Sequence, residues 1–148
     1  MKRIIILLIL VSLFSCNNKK KKQAKLDDEI ISNYISENQL IANKTESGLY
    51  YVINTAGTGD NPTGASTVRV AYKGYFTNNN VFDDSDTSGI SFSLTSVIKG
   101  WQEGIPYFKP GGKGMLLIPS ELGYGKTARA GIPANSVLIF DIDLKEVE

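Results

Sequence analysis

The chain changes its hydrophobic period twice along its length. Residues 4–11 are apolar without a break and follow the basic pair Lys2 and Arg3. A run of that length is too short to span a bilayer and suits the apolar segment of a secretory leader. Residues 17–25 are polar and lysine-rich, which predicts a flexible spacer. Over residues 26–42 the period becomes helical: Leu26, Ile30, Ile31, Tyr34, Ile35 and Ile41 recur near that spacing. Asp27, Asp28 and Glu29 occupy the first turn, where the helix dipole favours acids. The apolar stripe needs a cover. Either the body of the chain provides it, or the same stripe on a second copy does and the protein is a dimer.

Beyond Ser47-Gly48 the period becomes two. Residues 49–53 predict a strand, and the segment 55–67, with Gly57, Gly59, Pro62 and Gly64, predicts a turn. Over 67–76, Val68, Val70 and Tyr72 alternate with Arg69 and Lys73, a half-buried strand. Asn78-Asn79-Asn80 predicts a turn, because Asn tolerates left-handed backbone angles. Residues 81–82, 92–94, 115–118 and 136–147 extend again, the last with apolar residues on even positions from Leu138 to Leu144. Within 97–108, Val97, Ile98, Trp101, Ile105 and Phe108 return to helical spacing until Pro110-Gly111-Gly112. The loop 119–135 is long, and loops of that length usually serve function. One short helix with about five strands predicts an α+β fold, an antiparallel sheet wrapped on a helix.

Composition narrows the chemistry. The chain of 148 residues is 42% apolar and 21% charged, ordinary for a globular domain plus an appendage. It contains no histidine, which removes the Ser-His-Asp triad, the Cys-His dyad and any His-ligated metal site. A single cysteine removes an intrachain disulfide and thiolate zinc clusters. No metal or cofactor is expected. That cysteine, Cys16, directly follows Leu13-Phe14-Ser15 at the end of the apolar run. The arrangement resembles the lipobox of bacterial lipoproteins and implies cleavage before a lipidated Cys16; an ordinary leader or a retained anchor, with Cys16 incidental, are the alternatives. From residue 26 onward there are 9 basic and 15 acidic residues, so an acidic body hangs from a basic tether. The body has no basic surplus, and nucleic-acid binding is not expected. The tether lysines either touch anionic head groups or form a solvated spacer.

Three motifs mislead. Gly57-Thr58-Gly59 opens like a dinucleotide fingerprint, but Pro62 takes the sixth position. Gly125-Lys126-Thr127 imitates the end of a phosphate loop whose required first glycine is here Ser120. Asp83, Asp84 and Asp86 lack the glycine and distal glutamate of a calcium loop.

The informative pattern is aromatic. Tyr72, Phe82, Trp101, Tyr124 and Phe140 lie in five different segments. Each alone reads as core. In order, however, VRVAYKGYF, VFDDS, VIKGWQEGI, GGKGMLLIPSELGYG and IPANSVLIFDIDL resemble the FKBP-type peptidyl-prolyl cis-trans isomerases over about residues 48–148. With the lipobox and helix, the chain further resembles small membrane-anchored lipoprotein FKBPs of gliding bacteria. The resemblance implies an FKBP-like antiparallel half-barrel around one short helix. It divides the chain into a leader (1–15), a lipidated cysteine with tether (16–25), an N-terminal helix (26–43) and an isomerase domain (48–148).

The implied activity needs no tuned acid or nucleophile. Rotation about an X-Pro bond faces a barrier of roughly 20 kcal/mol, which is amide resonance. Resonance places negative charge on the carbonyl oxygen, where water stabilises it. A water-poor pocket penalises the planar amide relative to the twisted one, which is differential binding of the transition state. By resemblance, Trp101 is the floor under the proline ring and Tyr72, Phe82 and Phe140 are walls. Val97 and Ile98 line the rim, with the Ile98 N–H donating to a substrate carbonyl. Tyr124 donates its hydroxyl to another carbonyl, Ile132 closes the side, and Asp83 is the polar anchor of the pocket; as an alternative, Asp83 is a carboxylate capping a local turn. In the segment Ile90-Ser91-Phe92, Ile90 stands where many members carry phenylalanine. It is expected to keep an apolar wall with one ring fewer, lowering macrolide affinity. The implied partners are proline-containing unfolded or exported polypeptides and, through Cys16, a membrane of the bacterial envelope. A non-catalytic module binding proline-containing segments is the competing reading.

Overall fold

The computed structural model describes residues 2–148, with side chains from residue 18 onward. The leader's side chains and Cys16 therefore lie outside the described residues.

A 36-residue helix, α1 (Lys2–Glu37), opens the chain. The lysine-rich segment read as a flexible spacer is part of it. The physical reason is local: residues 17–37 contain neither glycine nor proline, and lysine, alanine and glutamine are good helix formers. The helix ends at Glu37 because Gln39 turns left-handed (φ 53°), letting the Leu40 N–H reach the Ile35 carbonyl at 3.0 Å. Among the described residues no helix is long and apolar enough to cross a membrane.

Seven antiparallel strands follow: β1 (Asn43–Lys44), β2 (Tyr50–Thr55), β3 (Thr67–Tyr75), β4 (Val81–Asp84), β5 (Ile90–Ser93), β6 (Lys113–Ile118) and β7 (Leu138–Val147). The sheet runs β1-β2-β6-β7-β3-β4, and β5 shares the outer edge of β3 with β4. β5 pairs with Thr67 to Val70 and β4 with Lys73 to Tyr75, so the edge of β3 is divided near Tyr72. Asn79 has φ 66°, the left-handed angle expected of the Asn78-Asn79-Asn80 turn.

The short helix α2 (Lys99–Gly104) lies on the concave face. It is briefer than the apolar spacing over 97–108 predicts, because Pro106 lacks an N–H and the chain tightens into a 3₁₀ turn, Ile105–Tyr107. Its fit on the sheet is glycine-dependent. A Cβ on Gly100 would stand 2.5 Å from Ile118 Cγ2, and one on Gly104 would stand 2.5 Å from Leu116 Cδ2.

Strand parity then sorts the core in two. Leu138, Phe140, Ile142 and Leu144 of β7, with Leu116 and Ile118 of β6, face α2 together with Trp101, Ile105 and Phe108. The intervening Met115, Leu117 and Ile139 face the other side, where Ile31 and Tyr34 of α1 cover them along with Tyr50, Val52, Tyr75 and Val137. The body thus covers the middle of the helix stripe, around Ile31 and Tyr34, whereas Leu26 and Ile41 stay exposed and Ile41 lies beyond the end of the helix at Glu37. Asp28 reinforces the docking by accepting hydrogen bonds from Lys44 Nζ at 2.5 Å and the Tyr50 hydroxyl at 2.8 Å.

Candidate active site

The concave face opens into a cavity of about 460 Å³, a size typical of small-ligand sites. It is lined by Tyr72, Asp83, Phe92, Ser96, Val97, Ile98, Trp101, Gly123, Tyr124, Arg129 and Phe140. Trp101 reaches it from α2 and is 4% exposed. Three rings meet the indole edge to face: Tyr72 at 5.2 Å, Phe140 at 5.4 Å and Phe92 at 5.5 Å between centroids. This geometry suits the quadrupoles of aromatic rings and locks the indole in place. The indole Nε1–H has no hydrogen-bond partner among the described residues.

Tyr72 is fixed by its backbone and its hydroxyl. Where the edge of β3 away from β7 lacks a neighbouring strand, Ser85 substitutes for one. The Tyr72 N–H donates to Ser85 Oγ and the Ser85 N–H donates to the Tyr72 carbonyl, both at 2.9 Å. The Tyr72 hydroxyl donates to Asp83 Oδ2 at 2.9 Å. Burial, and then the hydrogen bond to Asp83, push the phenol well above the ordinary tyrosine range, so it remains a neutral donor.

The rim offers donors. The Ile98 carbonyl accepts from the N–H groups of Trp101 (2.9 Å) and Gln102 (3.1 Å), and the Val97 carbonyl accepts from Gln102 Nε2 at 2.8 Å. With the Val97 carbonyl held this way, the planar trans peptide turns the Ile98 N–H in the opposite direction. That N–H, like the Tyr124 hydroxyl, has no partner among the described residues. The Arg129 guanidinium lies 5.5 Å from the centre of the Tyr124 ring, a cation–π contact at the mouth.

Of the residues the sequence nominated, Tyr72, Asp83, Val97, Ile98, Trp101, Tyr124 and Phe140 meet at the cavity. Phe82, Ile132 and Ile90 do not line it. Phe82 stands one layer back, edge-on to Phe140 at 5.5 Å. Gly74 makes that approach possible, since a Cβ there would lie 2.6 Å from Phe82 Cε2 and 2.8 Å from Phe140 Cε1. Ile132 is buried in the core and pairs through its backbone with Arg129, so the loop presents arginine to the cavity. Ile90 is 44% exposed at the start of β5, and the wall beside Trp101 is Phe92. The sequence placed Phe92 in a short strand but did not nominate it; its place opposite Val68 in the sheet brings it to the cavity. Nothing in the local sequence pattern singles out Arg129.

The site is thus an aromatic-lined cavity with two unpartnered donors at its rim, set on an antiparallel sheet. The sequence pattern of the FKBP-type peptidyl-prolyl cis-trans isomerases matches residues 59–145, and the chain belongs to that family. FkpA of Escherichia coli K12, an FKBP-type peptidyl-prolyl cis-trans isomerase, is 40% identical over 145 residues, covering 91% of this chain and 54% of its own. The chain thus spans about half the length of the curated relatives it matches. The crystal structure of E. coli FkpA superposes with a TM-score of 0.74 at 38% identity, over 89% of this chain and 64% of that one. A peptidyl-prolyl cis-trans isomerase from Pseudomonas syringae pv. tomato superposes with a TM-score of 0.75 at 29% identity, over 86% of this chain and 95% of that one.

Proposed function

We propose that this chain is a peptidyl-prolyl cis-trans isomerase acting on proline-containing segments of exported polypeptides at the bacterial envelope. The observation that carries the reading is the Trp101 floor, held by three edge-on rings beneath two unpartnered donors, the Ile98 N–H and the Tyr124 hydroxyl. The proline ring rests on the indole. Ile98 and Tyr124 fix the flanking carbonyls while the X-Pro bond turns. The aromatic walls keep water from the amide oxygen, whose charge falls as the bond twists. Asp83 orients Tyr72 through its hydroxyl and transfers no proton.

A protease-free isomerisation assay of the purified chain on a proline tetrapeptide tests this. Turnover well above the uncatalysed rate is expected; a background rate overturns the enzyme and leaves a binding module. Trp101→Ala should weaken binding of a proline peptide by about 2–4 kcal/mol. Unchanged affinity and rate would remove Trp101 from the site. The envelope assignment rests on residues 1–16. Lipidation of Cys16 anchors the chain, and several acyl chains hold it stably. Cys16→Ser should abolish lipid labelling and membrane retention; retention of the variant on membranes counts against the anchor.

A further inference from the structure

The tyrosine at the cavity rim is tied to the N-terminal helix through a buried carboxylate. Asp27 and Ser120 are 1% and 2% exposed, the two buried polar residues outside the aromatic set among the described residues. They lie 93 positions apart and bond directly. The Ser120 N–H and hydroxyl donate to Asp27 Oδ2 at 2.9 and 2.6 Å, and Gln23 Nε2 donates to Oδ1 at 2.7 Å. Both carboxylate oxygens are therefore satisfied, as a buried charge requires.

The other side of Ser120 faces the site. Its carbonyl accepts the N–H groups of Gly123 at 3.0 Å and Gly125 at 2.8 Å. These glycines flank Tyr124. Gly125 is left-handed (φ 57°), and its carbonyl accepts the Asn135 N–H at 2.7 Å, which closes the far end of the loop. A tyrosine between two glycines has little backbone stiffness of its own. Its backbone is held from both flanking glycines by Ser120 and at its own carbonyl by the Thr127 N–H at 3.2 Å, and Ser120 is held in turn by Asp27.

We infer that Asp27 is a positioning residue for the isomerase site, acting through Ser120 to hold the Tyr124 hydroxyl at the cavity. The inference rests on the isomerase reading above. It separates two adjacent carboxylates on α1 by task. Asp28 pairs with Lys44 and the Tyr50 hydroxyl and docks the helix on the sheet away from the loop; Asp27 sets the loop. The α1 helix thereby becomes part of the site's architecture as well as a cover for the sheet.

A double-mutant cycle on the full chain tests it, reading kcat/KM on a proline tetrapeptide beside thermal unfolding. Asp27→Ala should lower kcat/KM by about tenfold, less than the roughly hundredfold that a 1 Å misplacement can cost. Asp27→Asn keeps an acceptor for Ser120 and should recover most of the loss. Asp27→Ala combined with Tyr124→Phe should lose little beyond the larger single effect, because both changes remove one device. Asp28→Asn should leave kcat/KM within about twofold of the parent. If Asp27→Ala does not fold, Ser120→Ala, which removes a single bond, takes its place in the cycle. Additive losses, an unchanged rate in Asp27→Ala, an equal loss in Asp28→Asn, or a Tyr124→Phe variant at full activity each overturn the inference while the isomerase reading stands. A parent chain without turnover overturns both.

Discussion

Tyr72 carries several of the constraints that shape the cavity. Its main chain is held by Ser85, its ring meets the Trp101 indole edge to face, and its hydroxyl is committed to Asp83. Behind the sheet, Tyr75 is buried against α1 and donates to Asp141 Oδ1 at 2.9 Å. Burial first, and then hydrogen bonding and neighbouring charge, raise both phenols far above the ordinary value near 10. The sign of the linkage follows. In the unfolded chain these groups lose protons from about pH 10 upward, while in the folded chain they keep them. The folded state then binds more protons than the unfolded one, so stability falls as pH rises past about 10 and is unaffected below about 9. Urea melts from about pH 8 to about pH 11 should show this decline, and a Tyr72→Phe/Tyr75→Phe variant should show less of it. An equally steep decline in the double variant would assign it to other groups. The proposed isomerisation should have no such dependence near neutrality. The chain contains no histidine, and its cavity phenol stays protonated, so the rate should be flat from about pH 6 to about pH 9.

At the scale of elements, α2 fixes the depth of the floor. Gly100 and Gly104, one turn apart, let the helix backbone rest on Ile118 and Leu116, which are fully buried and cannot yield outward. Alanine at position 104 gains about 1 kcal/mol of helix propensity. It also forces a methyl into a filled core, at a cost of about 1–3 kcal/mol. Gly104→Ala should therefore be neutral to destabilising by about 2 kcal/mol in urea denaturation. It should also weaken ligand binding, because lifting α2 tilts Trp101. A stabilised variant with intact binding would show that α2 is not pressed against the sheet. Much of this layer was legible. The even-position apolar residues of β7 are the ones facing α2, and a helix carries Trp101 as the pattern required, though it spans only Lys99–Gly104 of the predicted 97–108. What hid the rest is distance along the chain. Met115 to Ile118 is apolar at every position, which marks a strand covered on both faces but does not name the second cover. Ile90 and Ile132 were nominated as walls by resemblance, and neither lines the cavity. Phe92 and Arg129 line the cavity through sheet register and loop closure, both made by residues remote in sequence.

The whole molecule is a sheet with two unlike covers, one making the cavity and the other being α1. Their independence can be tested by cutting the chain. A form beginning at residue 43 retains every strand and α2. It loses Ile31 and Tyr34, whose burial is worth about 3–6 kcal/mol together. Set against a total stability of about 5–15 kcal/mol, that loss takes a large share of what holds the domain folded. It also exposes Tyr50, Val52, Tyr75, Met115, Leu117, Val137 and Ile139 as one apolar face. A contiguous patch of this kind drives association. The truncated form should melt well below the full chain, bind a hydrophobic dye and sediment as more than a monomer at micromolar concentration. The cavity predicts a different response. Trp101, Tyr72, Phe92 and Phe140 keep all their ring contacts after truncation, so proline-peptide binding should persist. Tyr124 loses its support from Asp27, so turnover should fall more than affinity does. A truncated chain with full activity and no tendency to associate would make α1 a passive leader extension. One that loses binding and turnover together would make the two covers a single cooperative unit.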